Sequence, residues 1–152
     1  MRRKEKEITQ KEELIEILEK ANVCRIGLMD EEYPYVVPVN YGYKDNALYF
    51  HSAVEGRKMD LIRKNNKVGF EIDVDTELMK HDISCKWSIR FRSIIGTGTI
   101  EILDDLEDKR MGLDVLMNHH GKMENKFPDG VLKKTAVLKL CIKEMSGKKS
   151  GL

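Results

Sequence analysis

His51-Ser52-Ala53-Val54-Glu55-Gly56-Arg57-Lys58-Met59-Asp60-Leu61-Ile62 carries the chain out of a strand and into a helix. Asn46 to Phe50 has the apolar character of a strand, and beyond the junction Met59 and Ile62 lie three apart, as on one helix face. Gly56 stands at the junction, with Arg57 and Lys58 in the first helical turn. Cations favour the opposite end of a helix, because the N-terminal end already carries about half a positive charge. An anion bound there would resolve the conflict, since free backbone N–H groups, the helix dipole and both cations would point at it. If both side chains are solvated instead, the misplacement costs roughly a few tenths of a kcal/mol. These residues alone leave both readings open.

Working back from this stretch, Thr9-Gln10-Lys11-Glu12 has the form of a capping box opening a helix. Leu14, Ile17, Leu18 and Ala21 then form an apolar stripe suited to packing on a sheet. Val23 to Met29 reads as a strand with Cys24, Ile26 and Leu28 on one face, and Arg25 on the other, towards solvent, an acidic partner or a site. Tyr33 to Tyr43 is a second extended segment, and Pro38 places it at an edge or makes it irregular. With Asn46 to Phe50 these segments make an antiparallel meander.

Forward of the stretch, Val68, Phe70, Ile72 and Val74 alternate with Gly69, Glu71 and Asp73, so one face is buried and one wet. Ser84 to Leu103 is the longest extended stretch. Trp87, Ile89 and Phe91 fall on odd positions but Ile94, Ile100 and Ile102 on even ones, which predicts a bulge near Ser93 to Gly98. Asp104 with Glu107 caps a further helix that Gly121 ends, and Thr135 to Met145 is the last strand. This order predicts a mainly β protein, a small antiparallel barrel with helices in its connections, over the single domain 1–152.

Hydrophobic residues at 41% and charged residues at 35% give a globular balance, and a net charge of +1 argues against a broad nucleic-acid-binding face. No apolar run has the length of a membrane span, and a signal peptide is not expected. Cys24, Cys85 and Cys141 are far apart, which fits reduced, mostly packed thiols in a cytoplasmic protein rather than disulfides or zinc ligands. His81, His119 and His120 lack metal-ligand spacing, so no metal is expected. No serine-hydrolase or Walker-type motif is present. The anion-binding start of the helix, Pro38 to Tyr41 and the Trp87 to Ser93 strand suit a planar, phosphate-bearing ligand better than proton-transfer catalysis.

Four segments carry a resemblance over nearly the whole chain. They are Arg25-Ile26-Gly27-Leu28, Pro34-Tyr35-Val36-Val37-Pro38-Val39-Asn40-Tyr41, His51-Ser52-Ala53 with Gly56-Arg57-Lys58, and Trp87 followed by Arg92-Ser93-Ile94-Ile95-Gly96-Thr97-Gly98. In their order and spacing the chain resembles the pyridoxamine 5′-phosphate oxidase-like flavoproteins, and within them the nitroimidazole-resistance (Nim) proteins. The resemblance implies an FMN-binding split β-barrel and a homodimer with FMN in a cleft between subunits.

By the same resemblance, Arg57 and Lys58 would hold the FMN phosphate, with His51 and Ser52 along the phosphate and ribityl chain or the ring edge. Val39 and Asn40 would offer backbone and amide groups to the polar edge of the ring. Trp87 and Ser93 would complete the site from the same or the other subunit. The carboxyl end, Lys143 to Lys149, lacks the Arg-x-His pattern of the vitamin-oxidising members, so pyridoxamine phosphate is not the expected substrate. A flavin-dependent oxidoreductase is implied, taking electrons from a nicotinamide donor to nitro compounds or other small acceptors. The alternative is a flavin- or haem-binding module for storage or sensing.

Overall fold

The computed structural model describes residues 4–151. Strands β1 (Glu7–Ile8), β2 (Val23–Leu28), β3 (Tyr35–Asn40), β4 (Gly42–Lys44), β5 (Ala47–Ala53), β6 (Lys67–Met79), β7 (Ser88–Leu103) and β8 (Thr135–Ser150) form one sheet. Helices α1 (Lys11–Lys20), α2 (Arg57–Lys64), α3 (Leu106–His119) and α4 (Asp129–Leu132) lie in the connections. The strand order is β3-β2-β6-β7-β8-β5-β4, with β1 added to β8, and every pairing is antiparallel. Arg2 and Arg3, part of the basic amino end, lie outside the described residues. Among the described residues no helix is long and apolar enough to cross a membrane.

The two ends of this sheet, β3 and β4, are consecutive in the chain, and a single residue, Tyr41, joins them. The circuit is therefore closed by the chain itself rather than by a ladder, which makes a split barrel. Tyr41 is fully buried and its hydroxyl donates to the Leu18 carbonyl at 2.7 Å. That bond satisfies an acceptor in the last turn of α1, where helical carbonyls lack partners. The break at Tyr41 divides the expected strand from Tyr33 to Tyr43 in two. Pro38 pairs with Arg25 without interruption, because β3 is an end strand whose outer side needs no donor.

The barrel interior holds Cys24, Ile26 and Leu28 from β2, Phe70 and Ile72 from β6, Ile94 and Ile100 from β7, and Leu138 and Leu140 from β8. Ile17 and Leu18 of α1 close it, as the apolar stripe predicted. Helix α3 lies on the outside of β4 and β5, where Gly42 admits it. A Cβ at Gly42 would collide with the Val115 carbonyl and the Leu116 Cα.

The change of apolar face in β7 has two origins. The register against β8 slips between Thr97 and Gly98, the predicted bulge. The strand also leaves the barrel: beyond a second slip in β6, between Val74 and Glu77, the β6–β7 hairpin runs on with Leu78, Met79, Ile83, Trp87 and Ile89 exposed. Trp87 is 49% exposed, so it is not a core residue.

Three sequence-based boundaries move. Gln10, not Thr9, is the N-cap of α1, and no side chain caps it, so the capping box does not form. Asp105 rather than Asp104 caps α3, accepting from the backbone N–H groups of Glu107 and Asp108. Strand β8 continues past Met145 to Ser150, because β1 and the near half of β7 both pair with its end.

Candidate functional site

Helix α2 begins at Gly56, whose φ of 115° and ψ of 167° only glycine adopts without strain. No side chain caps this end, and the first helical bond runs from Asp60 N–H to the Gly56 carbonyl. The N–H groups of Arg57, Lys58 and Met59 precede that bond and so have no partner within the helix. Beside them the two cations behave differently.

Arg57 donates through Nε and Nη2 to Asp30 Oδ2, at 3.1 and 2.6 Å, and its guanidinium lies 4.7 Å from the centroid of the Tyr35 ring. An anion does meet the first turn of α2, and it is the chain's own. The Arg57 hydrogen bond, helped by the Glu31 N–H, holds the Asp30 carboxyl below its ordinary range. Nothing short of this tertiary contact would have identified Asp30, which lies 27 residues away in a turn.

Lys58 is half-buried and has no ion-pair partner among the described residues. Burial pushes its ammonium pKa down, the response of a cation taken from water without a counter-charge. The neighbouring Met59 is fully buried in the barrel core, which fixes the direction in which the helix presents Lys58.

The other predicted residues take distinct positions. Val39 is buried in the core, so only its backbone is available to a ligand, whereas Asn40 is exposed. Asn40 lies five residues along β3 from Tyr35, roughly 17 Å at strand spacing. His51 and Ser52 are adjacent in β5 and therefore face opposite ways. Ser52 shares its face with Leu48 and Phe50 of the main core, and His51 with Ala47 and Tyr49 on the α3 side. A single ligand meets both side chains only by passing round the strand end.

Trp87 and Ser93 lie elsewhere. Trp87 sits at the base of the hairpin loop and donates Nε1–H to the His81 carbonyl at 2.6 Å. Ser93 is on the outer face of β7, in register with Asp73 and Lys148. In the sheet, β2 and β6 separate β7 from β3, about 14 Å in three strand spacings. Arg57 and Lys58 thus share the start of α2 beside Tyr35, Val39 and Asn40 lie further along β3, and Trp87 and Ser93 belong to the β6–β7 hairpin and the outer face of β7.

Two charged clusters stand apart from the start of α2, the first of them foreshadowed by Arg25 in the sequence. On the outer face, Arg25 Nη1 donates to both Glu71 and Asp73, at 3.0 and 2.5 Å, the acidic-partner reading of Arg25. Near the mouth of the barrel, Arg92 bonds Glu16 and Asp75, Lys20 bonds Asp75, and Lys149 bonds Glu13. Asp75 has a φ of 58° at the β6 bulge, so this network also pins the root of the hairpin. Cys24 is buried, its thiol pushed up to about 12 chiefly by desolvation, and is inert as a nucleophile. Cys85 is exposed and Cys141 half-buried.

Comparison with known proteins places this architecture. A structure of a candidate 5-nitroimidazole antibiotic resistance protein from Bacteroides thetaiotaomicron is 33% identical, covering 94% of this chain and 86% of that one, with a TM-score of 0.85. A FAD- and haem-binding protein from Mycobacterium smegmatis shares the fold at 22% identity and a TM-score of 0.86, over 97% of this chain and 74% of its own. A FAD-binding protein from Mesorhizobium loti does so at 24% and 0.68, over 93% and 96%. An uncharacterised protein of Rhizobium meliloti is 31% identical over 65 residues, which span 43% of this chain and 42% of that relative. The sequence profile of the pyridoxamine 5′-phosphate oxidase family matches residues 10–149. With a split barrel and a profile match over nearly its full length, this chain belongs to the pyridoxamine 5′-phosphate oxidase family.

Proposed function

We propose that this chain binds FMN and acts as a flavin-dependent oxidoreductase on small electron acceptors, nitro compounds among them. The observation that carries the reading is Lys58, a half-buried cation at a helix start with no side-chain cap and with no ion-pair partner among the described residues. A phosphate monoester fits that place: it accepts from the free N–H groups and supplies the missing negative charge. Arg57 would reach the same phosphate from its seat on Asp30 and Tyr35. Ser52 and His51 would flank the entry, and Val39 and Asn40, further along β3, would meet the ring edge.

When bound, the flavin supplies the electron chemistry, and the protein supplies binding, orientation and exclusion of water. A shortage of acid–base residues is therefore no objection. The nitro-compound reading is supported by the 33% identity to the Bacteroides resistance protein. Homodimerisation is part of the proposal, because Trp87 and Ser93 lie on the β6–β7 hairpin and the outer face of β7 rather than beside Arg57, and a second copy would bring them in. The exposed apolar side chains Leu78, Ile83, Trp87 and Ile89 suit burial against such a partner.

The test is a spectrum of the purified protein followed by a steady-state assay with reduced nicotinamide cofactors and a nitroaromatic panel. A flavin spectrum and turnover of at least one acceptor are expected. Failure to take up any flavin overturns the binding site, and a Soret band would assign haem instead. A flavin-loaded protein that turns over no acceptor overturns the enzymatic part alone.

A further inference from the structure

A cavity of about 470 Å³ lies between β4 and the outward side of α3. It is remote from the α2 site: Lys44, on its strand wall, pairs with Ala47 at the start of β5, and Ser52 is five residues further on, roughly 17 Å. Its volume falls within the roughly 300–1,000 Å³ of small-molecule sites.

The helix wall is built from Glu107, Arg110, Asp114 and Asn118, spaced by three and four residues and therefore aligned on one face. The opposite face of the same helix carries Leu113 and Leu116 into the core. The walls are held rigidly. Gly42 seats the α3 backbone on β4, and the His119 ring stitches three segments together: Nε2–H donates to the Ala21 carbonyl at 2.7 Å, while Nδ1 accepts from Tyr43 N–H at 3.4 Å.

Charge inside the cavity is only partly compensated. Arg110 is neutralised by Glu107 and by Asp129. Lys44 on the strand and Asp114 on the helix have neither a hydrogen-bond nor an ion-pair partner among the described residues, and they do not pair with each other. One cation, on the exposed Lys44, and one anion, on the half-buried Asp114, thus line the cavity from its strand and helix walls without pairing, and Met111 and Tyr43 add apolar surface to the lining. A ligand carrying both signs bridges them, whereas a simple anion or cation leaves one wall unmatched and meets a like charge on the other.

We propose that this cavity is a binding site for a small zwitterion of amino-acid size, its anionic group on Lys44 and its ammonium on Asp114. The test is isothermal titration of the full chain with L-leucine, L-glutamine and γ-aminobutyrate, with acetate and ethylammonium as single-charge controls. At least one zwitterion is expected to bind one per chain, with both controls weaker by about 10-fold or more. Lys44→Ala and Asp114→Ala should each weaken that binding by roughly 10- to 150-fold. Lys44→Gln and Asp114→Asn, which keep the shape, should do the same, and FMN affinity should not change in any of the four. Binding of no zwitterion, equal binding by the single-charge controls, or unchanged binding in the variants overturns the proposal. Since FMN titration is read on the same samples, this outcome is separate from that of the flavin site.

Discussion

Arg57, the first residue of α2, is tied to Asp30 in the turn after β2 through Nε and Nη2. The sequence-based expectation weighed a bound anion against solvent at this place, and the fold supplies a third solution, a carboxylate of its own. Asp30 orients the guanidinium but also competes for it. Lys58, which has no such partner among the described residues, is then the cation with most to gain from a ligand phosphate. Asp30→Ala should leave FMN binding intact and make Arg57 contribute more, so that the penalty of Arg57→Ala is larger in the Asp30→Ala background. A double-mutant cycle read by FMN titration checks this; strictly additive effects would contradict the competition.

Acid should loosen the barrel through its ion pairs. Hydrogen bonds from Arg92 to Glu16, from Lys20 and Arg92 to Asp75, and from Arg57 to Asp30 hold these three carboxyls below their ordinary range. A carboxyl whose folded pKa is depressed stabilises the fold above its unfolded pKa, about 4, and that contribution is lost as pH falls through the folded value. The contribution of these three pairs should therefore be flat from neutrality to about pH 5 and decline below about pH 4. Arg92→Met should flatten the decline, as measured by urea midpoints across that range. An unchanged slope in the variant would rule out the network as its cause.

Tyr41→Phe isolates the closure of the barrel. It removes only the hydroxyl that donates to the buried Leu18 carbonyl and leaves the ring in the core. The expected loss is about 1–3 kcal/mol in chemical denaturation, because an acceptor is left without a partner. A loss within experimental error of zero would mean that Tyr41 closes the barrel by packing alone.

Much of the fold was legible because burial follows period. Val68, Phe70, Ile72 and Val74 alternate with polar residues, and their strand faces the core on one side as that pattern requires. Local chemistry was less decisive where two residues could do the same job. Asp104 and Asp105 are equally competent caps, and only the approach of the chain to α3 selects Asp105. The division of His51 from Ser52 follows from strand geometry and was available in principle. The Asp30–Arg57 pair, the Arg92 network and the β4–α3 cavity were not, since each joins segments that only the tertiary fold brings together.

Trp87 is the single tryptophan of the chain and is exposed, so its fluorescence reports the hairpin alone. If a second copy brings this hairpin to the flavin, FMN should quench Trp87 at protein concentrations where the chain is dimeric. Dilution to monomer should restore the emission. Concentration-independent quenching, or none, would contradict a shared site.

The most direct test of the central claim is titration of the apoprotein with FMN and riboflavin, for the wild type and for Arg57→Ala and Lys58→Ala. Each charge-assisted phosphate contact is worth about 1.5–3 kcal/mol, or roughly a 10- to 150-fold change in affinity. The account predicts a loss of that size for FMN in Lys58→Ala and a loss no larger in Arg57→Ala, whose side chain is shared with Asp30. Riboflavin, which lacks the phosphate, should bind all three proteins equally weakly. FMN affinity that is the same in the wild type and both variants would contradict the claim that the start of α2 is the phosphate site.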